Sequence, residues 1–311
     1  MDLSIIIVNT NSRVLLQNCI NSVLDNTTGI EYEIIVVDNN STDGSTEMLR
    51  AEFPTVKLVQ NKSNLGFPAS NNRGFAISSG RYVLALNPDT VVLGNALTSM
   101  VRFMDDHHEA GACGCRLHNA DGSLQPSWES FPTLFSEVFY GTPLNRIFSH
   151  RKRRPANGVY DVDWVSGACL MVRRETMNEV GAFDERFTPI YSEETDWCYR
   201  IKEHGWRIYY LPEPQVIHLG GQTTKHNRTW FFLQLQRNKC LFLRKHRGAL
   251  YAGVYRALRI LTCLARLVLA FVGWFLPGHR GEERKRLLTQ QSKLLLMLFD
   301  PGLSIPMKAG E

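Results

Sequence analysis

Several sequence features that identify common protein classes are missing from this chain. No Gly-x-Gly-x-x-Gly turn follows a predicted strand and no Gly-Lys-Ser/Thr phosphate loop is present, which argues against NAD-dependent enzymes and P-loop nucleotide hydrolases. The seven cysteines include one close pair, Cys113 and Cys115, spaced Cys-x-Cys. We therefore expect no disulfide framework and predict reduced, mostly buried thiols.

The N-terminus also lacks the pattern of a secretory signal. Asp2 stands where a signal peptide needs positive charge, and the first apolar run stops after Val8. We therefore expect a protein that is not secreted by that route and that works in the cytoplasm.

The 311 residues are 44% hydrophobic and 21% charged, which is enough apolar material for one large domain or two ordinary ones. The net charge of +5 hides an asymmetry, because residues 1–236 carry a net charge of −5 and residues 237–311 a net charge of +10. The basic segment predicts an anionic partner, either a nucleic acid or a membrane surface, unless it is simply a solvated basic face.

Apolar runs alternate with helical patterns over the first 90 residues. Continuous apolar runs separated by helices are typical of a parallel sheet that is covered on both faces. The predicted strands are Ile5–Val8, Ile34–Val37, Val56–Val59 and Tyr82–Leu86, and the predicted helices are Val14–Leu24, Ser45–Phe53 and Ala69–Ser78. An open, doubly wound sheet would place the polar loops that follow these strands at one edge, where ligands bind.

After Asp89 the predicted strands and helices no longer alternate regularly. The pattern predicts helices at 96–107, 175–180 and 193–204, strands at 112–117, 165–172 and 208–211, and a further segment at 216–221. The basic cluster at 151–154 is predicted to lie in a loop exposed to solvent.

Eight short motifs occur in a characteristic order over roughly the first 225 residues. They are Ser4-Ile5-Ile6-Ile7-Val8-Asn9, the stretch from Val36 to Gly44, Asn64-Leu65-Gly66-Phe67, Leu86-Asn87-Pro88-Asp89-Thr90, Asp121-Gly122-Ser123, Ser166-Gly167-Ala168, Ser192-Glu193-Glu194-Thr195-Asp196 and His218-Leu219-Gly220-Gly221-Gln222. In these motifs the chain resembles the inverting family 2 glycosyltransferases of GT-A fold, and among them the bacterial rhamnosyltransferase-like members.

The resemblance implies an α/β fold with a doubly wound mixed sheet of GT-A type and a C-terminal helical extension. Residues 1–236 would form the catalytic domain, with a Rossmann-like nucleotide-sugar half at 1–115 and an acceptor half at 116–236. Residues 237–311 would form a basic, apolar helical tail associated with a membrane. The implied activity is transfer of a sugar from a nucleotide diphosphate to a glycan hydroxyl in cell-surface polysaccharide synthesis.

The resemblance also assigns a donor site. Asp38 would hold the pyrimidine and ribose of the nucleotide sugar, and a carboxylate suits those donor groups. The other implied donor-binding residues are Asn9, Thr10, Asn40, Gly66, Phe67, Asn71, Asn87 and Asp89. The leading donor is deoxythymidine-diphosphate-rhamnose, with a uridine-diphosphate sugar as the alternative.

A divalent metal, Mg²⁺ or Mn²⁺, is implied at Asp89, which matches the last acid of the family's Asp-x-Asp motif. Asn87 stands where the first acid would be, so one carboxylate remains. Oxygen ligands and phosphates suit both ions. The resemblance implies that His218 is a further ligand of this metal. A lone histidine beside an apolar strand is, however, more often structural.

Inverting transfer needs a carboxylate base on the acceptor side. Glu194 aligns with the family's catalytic acid and is the predicted base, with Glu193 or Asp196 as alternatives. All three acids would also favour a helix N-terminus by capping and dipole effects. Three acids in four positions repel one another, which raises at least one pKa.

The tail contains an apolar stretch at 249–276 that Arg256, Arg259 and Arg266 interrupt. A spanning helix needs about 20 predominantly apolar residues. On a helix these arginines fall within an arc of about 80°, opposite an apolar face, which is the pattern of a helix lying in the interface of an anionic bilayer. The alternative is a helix that packs on the catalytic domain or on a dimer partner.

Nucleic acid is the less attractive partner because the basic residues alternate with Leu, Val and Phe. We expect a peripheral enzyme at the inner face of the cell membrane, acting on a polyprenyl-diphosphate-linked glycan; the sequence leaves the oligomeric state open. Two other functions remain open at this stage, a nucleotidyltransferase and a non-catalytic nucleotide-sugar-binding membrane scaffold. The nucleotidyltransferase would normally show a Gly-rich basic loop after the first strand, and the residues at 9–12 lack one.

Overall fold

The computed structural model describes residues 1–138, 157–220, 227–274 and 281–305, with no account of side chains at 137–138, 270–274 and 282–284. Two sequence predictions lie outside these ranges: the basic cluster at 151–154 and the end of the His218 motif at 221–222. The chain forms two compact units. Unit 1 comprises Met1–Phe131 and His150–Gln222, and unit 2 comprises Pro132–Ser149 and Thr223–Glu311.

Unit 1 is an α/β structure. Its strands are β1 (Leu3–Asn9), β2 (Tyr32–Asp38), β3 (Lys57–Gln60), β4 (Tyr82–Leu86), β5 (Thr90–Leu93), β6 (Ala110–His118), β7 (Leu124–Gln125), β8 (Trp128–Glu129), β9 (Tyr160–Asp161), β10 (Trp164–Val165), β11 (Cys169–Arg173) and β12 (Arg207–His218). Its helices are α1 (Arg13–Asn26), α2 (Ser45–Glu52), α3 (Phe67–Ala76), α4 (Ala96–Asp106), α6 (Arg174–Val180) and α7 (Glu193–Glu203), with a 3₁₀ turn at Glu185–Phe187.

The main sheet has the strand order β3-β2-β1-β4-β11-β6-β12-β5. Strands β1 to β4 are mutually parallel, β11 runs antiparallel to β4 and β6, β12 is parallel to β6, and β5 is antiparallel to β12. The carboxyl ends of β1, β2, β3, β4, β6 and β12 therefore meet at one edge. The predicted doubly wound mixed sheet is confirmed.

Two apolar layers cover the sheet. One packs α1, α2 and α4 on the face that carries Ile5, Ile7 and Val36. The other packs α3, α6 and α7 on the face that carries Ile6 and Ile35. Because both faces of the central strands are buried, those strands read as continuous apolar runs rather than as alternating patterns.

Three details differ from the sequence prediction. The stretch predicted as one strand at 165–172 is two short strands, because β10 pairs with β8 and β11 pairs with β4 and β6. The strand predicted at 208–211 and the first part of the segment predicted at 216–221, as far as His218, belong to one strand, β12, which has a register shift between Leu211 and Gln215. Strand β5 was not predicted, since four residues directly after a loop carry little periodicity.

Unit 2 contains α5 (Leu134–Val138), α8 (Arg228–Arg247), α9 (Ala249–Trp274) and α10 (Gly281–Phe299). The helix α8, in which the predicted domain boundary at residue 236 falls, lies wholly in this unit. Among the described residues, no helix has both the length and the apolar character needed to cross a membrane.

The side chains of α9 have an unexpected orientation. Its arginines and its apolar residues lie on opposite faces, as the sequence predicts, but the arginines face inward. Arg259 is 4% exposed, and Arg256 donates to the backbone oxygens of Leu298 and Asp300 at 2.5 and 2.6 Å. The exposed face is apolar instead: Leu250, Val254, Leu261, Leu264, Val268 and Leu269 are each more than 40% exposed. The interpretation in which a basic stripe meets lipid headgroups is therefore wrong for Arg256 and Arg259.

Candidate functional site

Polar side chains gather at the carboxyl edge of the main sheet. Asn9 ends β1, Asp38 ends β2, and Asn87 and Asp89 follow β4. His218 ends β12 and pairs in register with Thr90 at the start of β5. Residues separated by up to 209 positions in the sequence thus lie along one edge, which is where open α/β sheets bind their ligands.

Asp38 is held rigidly at this edge. Its Oδ1 accepts a hydrogen bond from Asn9 Nδ2 at 2.9 Å, and its Oδ2 accepts one from the backbone N–H of Ser41 at 2.9 Å. Asn9 Nδ2 also donates to Ser41 Oγ at 3.0 Å. Asp38 and Asn9 are both buried. These bonds fix the loop after β2 in one conformation.

A buried polar network behind Asp38 was not predicted. Asn39 Oδ1 accepts from Asn61 Nδ2 at 2.7 Å and from Ser70 Oγ at 2.6 Å. Arg73 in turn donates to Asn61 Oδ1 at 2.7 Å. The network ties the loops after β2 and β3 to α3, and its only sequence signal is the run of Asn and Ser residues at strand ends.

The turn before α3 packs closely on a distant segment. Gly66 has φ +83°, and a Cβ built on it would lie 2.9 Å from Pro189 Cα and 3.1 Å from Pro189 O. The next residue, Phe67, donates its N–H to Pro189 O at 2.7 Å. Glycine is therefore required here both by the left-handed backbone and by the contact.

We expect Gly66→Ala to weaken donor binding, because the new Cβ must displace the backbone of Pro189. Gly122→Ala is the matched control, since Gly122 has φ +79° but nothing lies within 4 Å of its Cβ position. Both variants should lose about 1–2 kcal/mol of stability from the left-handed conformation. Only Gly66→Ala should also raise the dissociation constant for the nucleotide donor in a binding titration. An equal effect of the two variants on donor binding would contradict the role of this contact.

Asp89 faces His218 across the edge. Asp89 Oδ1 lies 3.3 Å from His218 Nε2, and Asn87 Nδ2 lies 3.3 Å from the same nitrogen. On its other side, His218 Nδ1 lies 2.6 Å from Gln125 Oε1, and Gln125 Nε2 donates to Asn119 Oδ1 at 2.8 Å. Because an amide oxygen only accepts, Nδ1 donates its proton to Gln125 Oε1, and the ring is held with Nε2 turned toward Asn87 and Asp89.

The Asp89 carboxylate oxygen and His218 Nε2, which lie 3.3 Å apart, are both atom types that can bind a divalent metal ion. Within the described part of the chain, no group of three or more His, Cys, Asp or Glu side chains is placed to hold a metal ion. The protein therefore offers two ligand atoms at this point, and Gln125, which had no sequence signal, orients one of them.

The acidic helix α7 reaches the same edge through the turn at Ser166–Ala168. A Cβ built on Gly167 would lie 3.6 Å from Glu194 Cβ, and the neighbouring Ala168 O accepts from the backbone N–H of Asn87 at 3.0 Å. Gly167 therefore lies beside Glu194, the predicted base. The next residue, Ala168, is hydrogen-bonded to Asn87 of the predicted metal-binding segment. The helix begins after Tyr191 and Ser192, which both have positive φ, +81° and +68°.

One carboxyl oxygen of each of Glu193 and Glu194, Oε2, is shielded from water. Neither Glu193 Oε2 nor Glu194 Oε2 has a hydrogen-bond partner among the described residues. Burial raises the pKa of Glu194 to about 7. Burial and the Glu194 charge raise the pKa of Glu193 well above its usual value, so Glu193 is neutral when Glu194 ionises.

The third acid has a different environment. Asp196 is fully buried, and its Oδ2 accepts from Arg200 Nε at 3.0 Å. Arg200 also donates to the backbone oxygens of Val180 and Ala182. Asp196 therefore anchors α7 to the end of α6.

The structure brings most of the predicted site residues together, but not all in the same role. Asn71 is buried and donates to Phe67 O at 3.0 Å, which supports the first turn of α3. Asn40 is exposed with φ +62°. Thr10 is half-buried at the end of β1. Direct contact between these three residues and a donor remains a prediction.

Comparison with known proteins adds to this geometry. Residues 4–181, more than half of the chain, match the sequence profile described as "Glycosyl transferase family 2". A similar curated protein is the N-acetylglucosaminyl-diphospho-decaprenol L-rhamnosyltransferase of Mycobacterium tuberculosis, 29% identical over 227 residues that cover 64% of this chain and 74% of the relative. Rhamnosyltransferase WbbL of Escherichia coli is 27% identical over 177 residues, which cover 53% and 64% of the two chains.

Among solved structures, the fold is similar to that of the mannosyltransferase PcManGT from Pyrobaculum calidifontis, which was solved in complex with GDP-Man and Mn²⁺. The TM-score is 0.62 at 14% sequence identity, and the match covers 98% of this chain and 88% of that one. At this identity the likeness concerns the fold, and it confirms the predicted GT-A architecture.

Proposed function

The chain belongs to glycosyl transferase family 2, and on that premise we propose that it is a rhamnosyltransferase that acts by inverting displacement, with Glu194 as its base. That the protein is a glycosyltransferase follows from the family; the sugar, the acceptor and the residue roles are proposals. The observation that carries them is the convergence of Asp38, Asp89, His218 and Glu194 on one edge of the main sheet.

In the proposed reaction the oxygen of an acceptor hydroxyl attacks the anomeric carbon of the donor sugar. The new C–O bond forms as the bond between that carbon and the diphosphate oxygen breaks, and the electron pair leaves with the nucleoside diphosphate. The hydroxyl proton passes to the Glu194 carboxylate. A base of pKa about 7 suits this step near neutral pH.

Asp38 would hold the nucleoside, because its fixed carboxylate lies beside the loop that ends at Gly44. Gly66 and Phe67 would close the other side of the donor, since their backbone approaches the edge next to Asn39. Loops that are tied by buried hydrogen bonds hold a donor in one orientation, which lowers the entropy lost in the transition state.

The residues present fit a divalent cation at Asp89 and His218. The reason is that a carboxylate oxygen and an imidazole nitrogen lie 3.3 Å apart there, and Mn²⁺ accepts both ligand types. Such an ion, when bound, neutralises the charge that develops on the diphosphate. The mannosyltransferase structure was solved in complex with Mn²⁺, which supports the choice of a divalent ion.

Gln125→Ala should raise the metal concentration needed for half-maximal activity by about 10- to 100-fold, because a freed His218 ring no longer presents Nε2 to the metal. Gln215→Ala is the matched control, since Gln215 Oε1 contacts His118 Nε2 at 3.0 Å in a similar pair outside the site. The measurement is a Mn²⁺ titration of donor turnover. A Gln125 variant with the wild-type Mn²⁺ requirement would remove His218 from the proposed metal site.

Rhamnose and a lipid-linked acceptor are proposed because the name of the mycobacterial relative specifies both. A family 2 glycosyltransferase with this site is favoured over a nucleotidyltransferase, and the intact carboxylates argue against a purely non-catalytic scaffold.

A location at the inner face of the membrane is also part of the proposal. Its support is the exposed apolar face of α9, where Leu250 is 84% and Leu269 70% exposed. Six large apolar side chains on one helix face are unusual for a surface in contact with water, and a helix of this kind lies flat in a bilayer interface.

The function is tested by incubating the protein with deoxythymidine-diphosphate-rhamnose, uridine-diphosphate sugars and guanosine-diphosphate-mannose, each with Mn²⁺ and an N-acetylglucosaminyl-diphospho-lipid in vesicles. We expect rhamnosylated lipid and free deoxythymidine diphosphate. Transfer of a sugar from another donor would contradict the proposal that rhamnose is the transferred sugar. Release of pyrophosphate would contradict the proposal that the reaction is a glycosyl transfer.

A further inference from the structure

Four tryptophans belong to unit 1, and the proposed mechanism uses none of them: Trp128, Trp164, Trp197 and Trp206. Trp197 is fully buried, and the ring of Trp128 packs against two tyrosine rings. These two side chains are parts of the interior. Trp164 and Trp206 are only half-buried, so each keeps part of its indole surface exposed.

Trp164 is held in place on the two-stranded ribbon of β8 and β10. The next residue, Val165, is buried, and a Cβ built on Gly114 of β6 would lie 2.6 Å from its Cβ. Because neighbouring residues of a strand point to opposite faces, the indole of Trp164 lies on the ribbon face that turns away from β6. Its N–H donates to Ser130 O at 3.1 Å.

The Trp164 indole is fixed on one side and open on the other. Part of it packs on the apolar layer that α3, α6 and α7 form with the sheet. No aromatic ring of the described residues stacks on it. A large, rigid aromatic surface with two rotatable side-chain bonds loses little entropy when a ligand covers it.

The position of this surface is close to the predicted base. Two residues after Trp164 the chain enters the turn at Ser166–Ala168, where a Cβ built on Gly167 would lie 3.6 Å from Glu194 Cβ. Three residues of chain span at most about 10 Å, and α7, which carries Glu194, also contacts β10. An acceptor whose hydroxyl meets Glu194 therefore has the exposed indole within reach.

We propose that the indole of Trp164 is the surface on which the accepting sugar stacks, so that its hydroxyl is presented to Glu194. One face of a pyranose ring consists mainly of C–H groups, and these pack on the electron-rich face of an aromatic ring. Ligand sites commonly combine such an aromatic surface with a few polar groups that fix orientation. The inference rests on the proposed function, since it takes the acceptor to be a glycan and Glu194 to be the base.

The first test compares Trp164→Leu with Trp206→Leu in the full-length protein, because leucine keeps an apolar side chain on the core layer. Trp206 is the matched control: it packs on the same layer and donates one hydrogen bond, to Glu179 Oε2 at 2.7 Å. It precedes β12, at the end of the sheet opposite the ligand edge.

Trp164→Leu should raise the KM for an N-acetylglucosaminyl-diphospho-lipid by about 10-fold, because the ring contact is lost. Since the contact is made in the ground state and the transition state alike, kcat and the donor KM should stay nearly unchanged. Trp206→Leu should keep the wild-type acceptor KM. Trp164→Phe, which retains a ring, should restore most of the acceptor affinity.

The second test measures binding without turnover. Saturation-transfer NMR with Mg²⁺ uses two probes, octyl N-acetylglucosaminyl diphosphate and octyl diphosphate without the sugar. In the wild type and Trp206→Leu, saturation of the aromatic protons of the protein should reach the ring C–H protons of the sugar. Trp164→Leu should bind the sugar probe about 10-fold more weakly, whereas the sugar-free probe should bind equally to all three proteins.

Equal effects of Trp164→Leu and Trp206→Leu on the acceptor KM would overturn the proposal. So would an equal loss of affinity for the sugar-free probe, which would place the indole against the diphosphate or the alkyl chain. If Trp164→Leu does not fold, Trp164→Phe and the wild-type NMR experiment decide the question, and an absence of saturation on the sugar protons would contradict the stacking.

The binding experiment also separates this inference from the proposed function. Trp164-dependent binding of the sugar probe by a protein that transfers no sugar would support the stacking surface and contradict the proposed activity. Trp164-dependent binding of a glucosyl or galactosyl probe in place of the N-acetylglucosaminyl one would support the surface and contradict the proposed acceptor.

Discussion

Glu194→Gln should reduce glycosyl transfer by about 10²- to 10⁴-fold, because the amide cannot accept the hydroxyl proton. Donor binding should be retained, since Gln has nearly the same volume and Glu194 Oε2 makes no hydrogen bond to the described residues. The measurements are steady-state transfer and a donor titration. Glu203→Gln, an exposed position at the other end of α7, is the matched control and should keep wild-type activity.

The pH dependence of activity and of stability also tests the role of the Glu194 carboxyl group. Since Glu194 must be ionised, kcat/KM should rise about tenfold per pH unit below pH 7 and level off above it. A folded-state pKa raised from the usual 4.5 to about 7 also means that the folded state loses stability as the pH rises through this range. Glu194→Gln lacks that loss and should unfold at the wild-type temperature or higher at pH 8. Near-normal turnover of this variant would remove Glu194 as the base.

Asp89→Asn should lower transfer by about 10²- to 10³-fold in the presence of Mn²⁺, because an amide is a far weaker ligand than a carboxylate and the diphosphate charge is no longer neutralised. The fold should survive, since the backbone of Asp89 holds Leu219 by a 2.9 Å bond that the substitution leaves intact. The measurement is donor turnover as a function of Mn²⁺ concentration.

Asn87→Asp provides the opposite change at the same site. It places a second carboxylate next to His218 Nε2, which now lies 3.3 Å from Asn87 Nδ2, and should lower the Mn²⁺ concentration needed for half-maximal activity. An Asp89→Asn variant with wild-type activity, or an unchanged metal requirement in both variants, would contradict the proposed metal position.

The central sheet can be predicted from the sequence because the burial of each strand is evident from the residues of that strand alone. Strands β1, β2 and β4 are buried on both faces, so each reads as an unbroken apolar run that ends in a polar residue at the ligand edge. Asp38, Asp89 and Glu194 could be chosen as candidate site residues because their motifs are short and contiguous, and their roles stay predictions. The fold class, the family and the enzyme class are confirmed.

The remaining features depend on contacts between distant residues. Gln125 orients His218 from 93 positions away, and no periodicity marks it. The Asn39 network joins three separate segments by side-chain bonds alone. The periodicity of α9 gives the arc that its arginines occupy, but which face turns inward is decided by packing against α8 and α10. The sequence pattern therefore suggested a basic membrane-facing stripe, whereas the exposed face is apolar.

The central claim is that this site performs an inverting displacement with the base at Glu194. The most direct test is the NMR determination of the anomeric configuration of the bond formed from deoxythymidine-diphosphate-rhamnose and the lipid-linked acceptor, with wild type and Glu194→Gln side by side. We predict inversion relative to the donor, with one nucleoside diphosphate released per bond, and about 10²- to 10⁴-fold slower product formation by the variant. Retention of configuration, or an inverted product formed equally by the variant, would contradict the account.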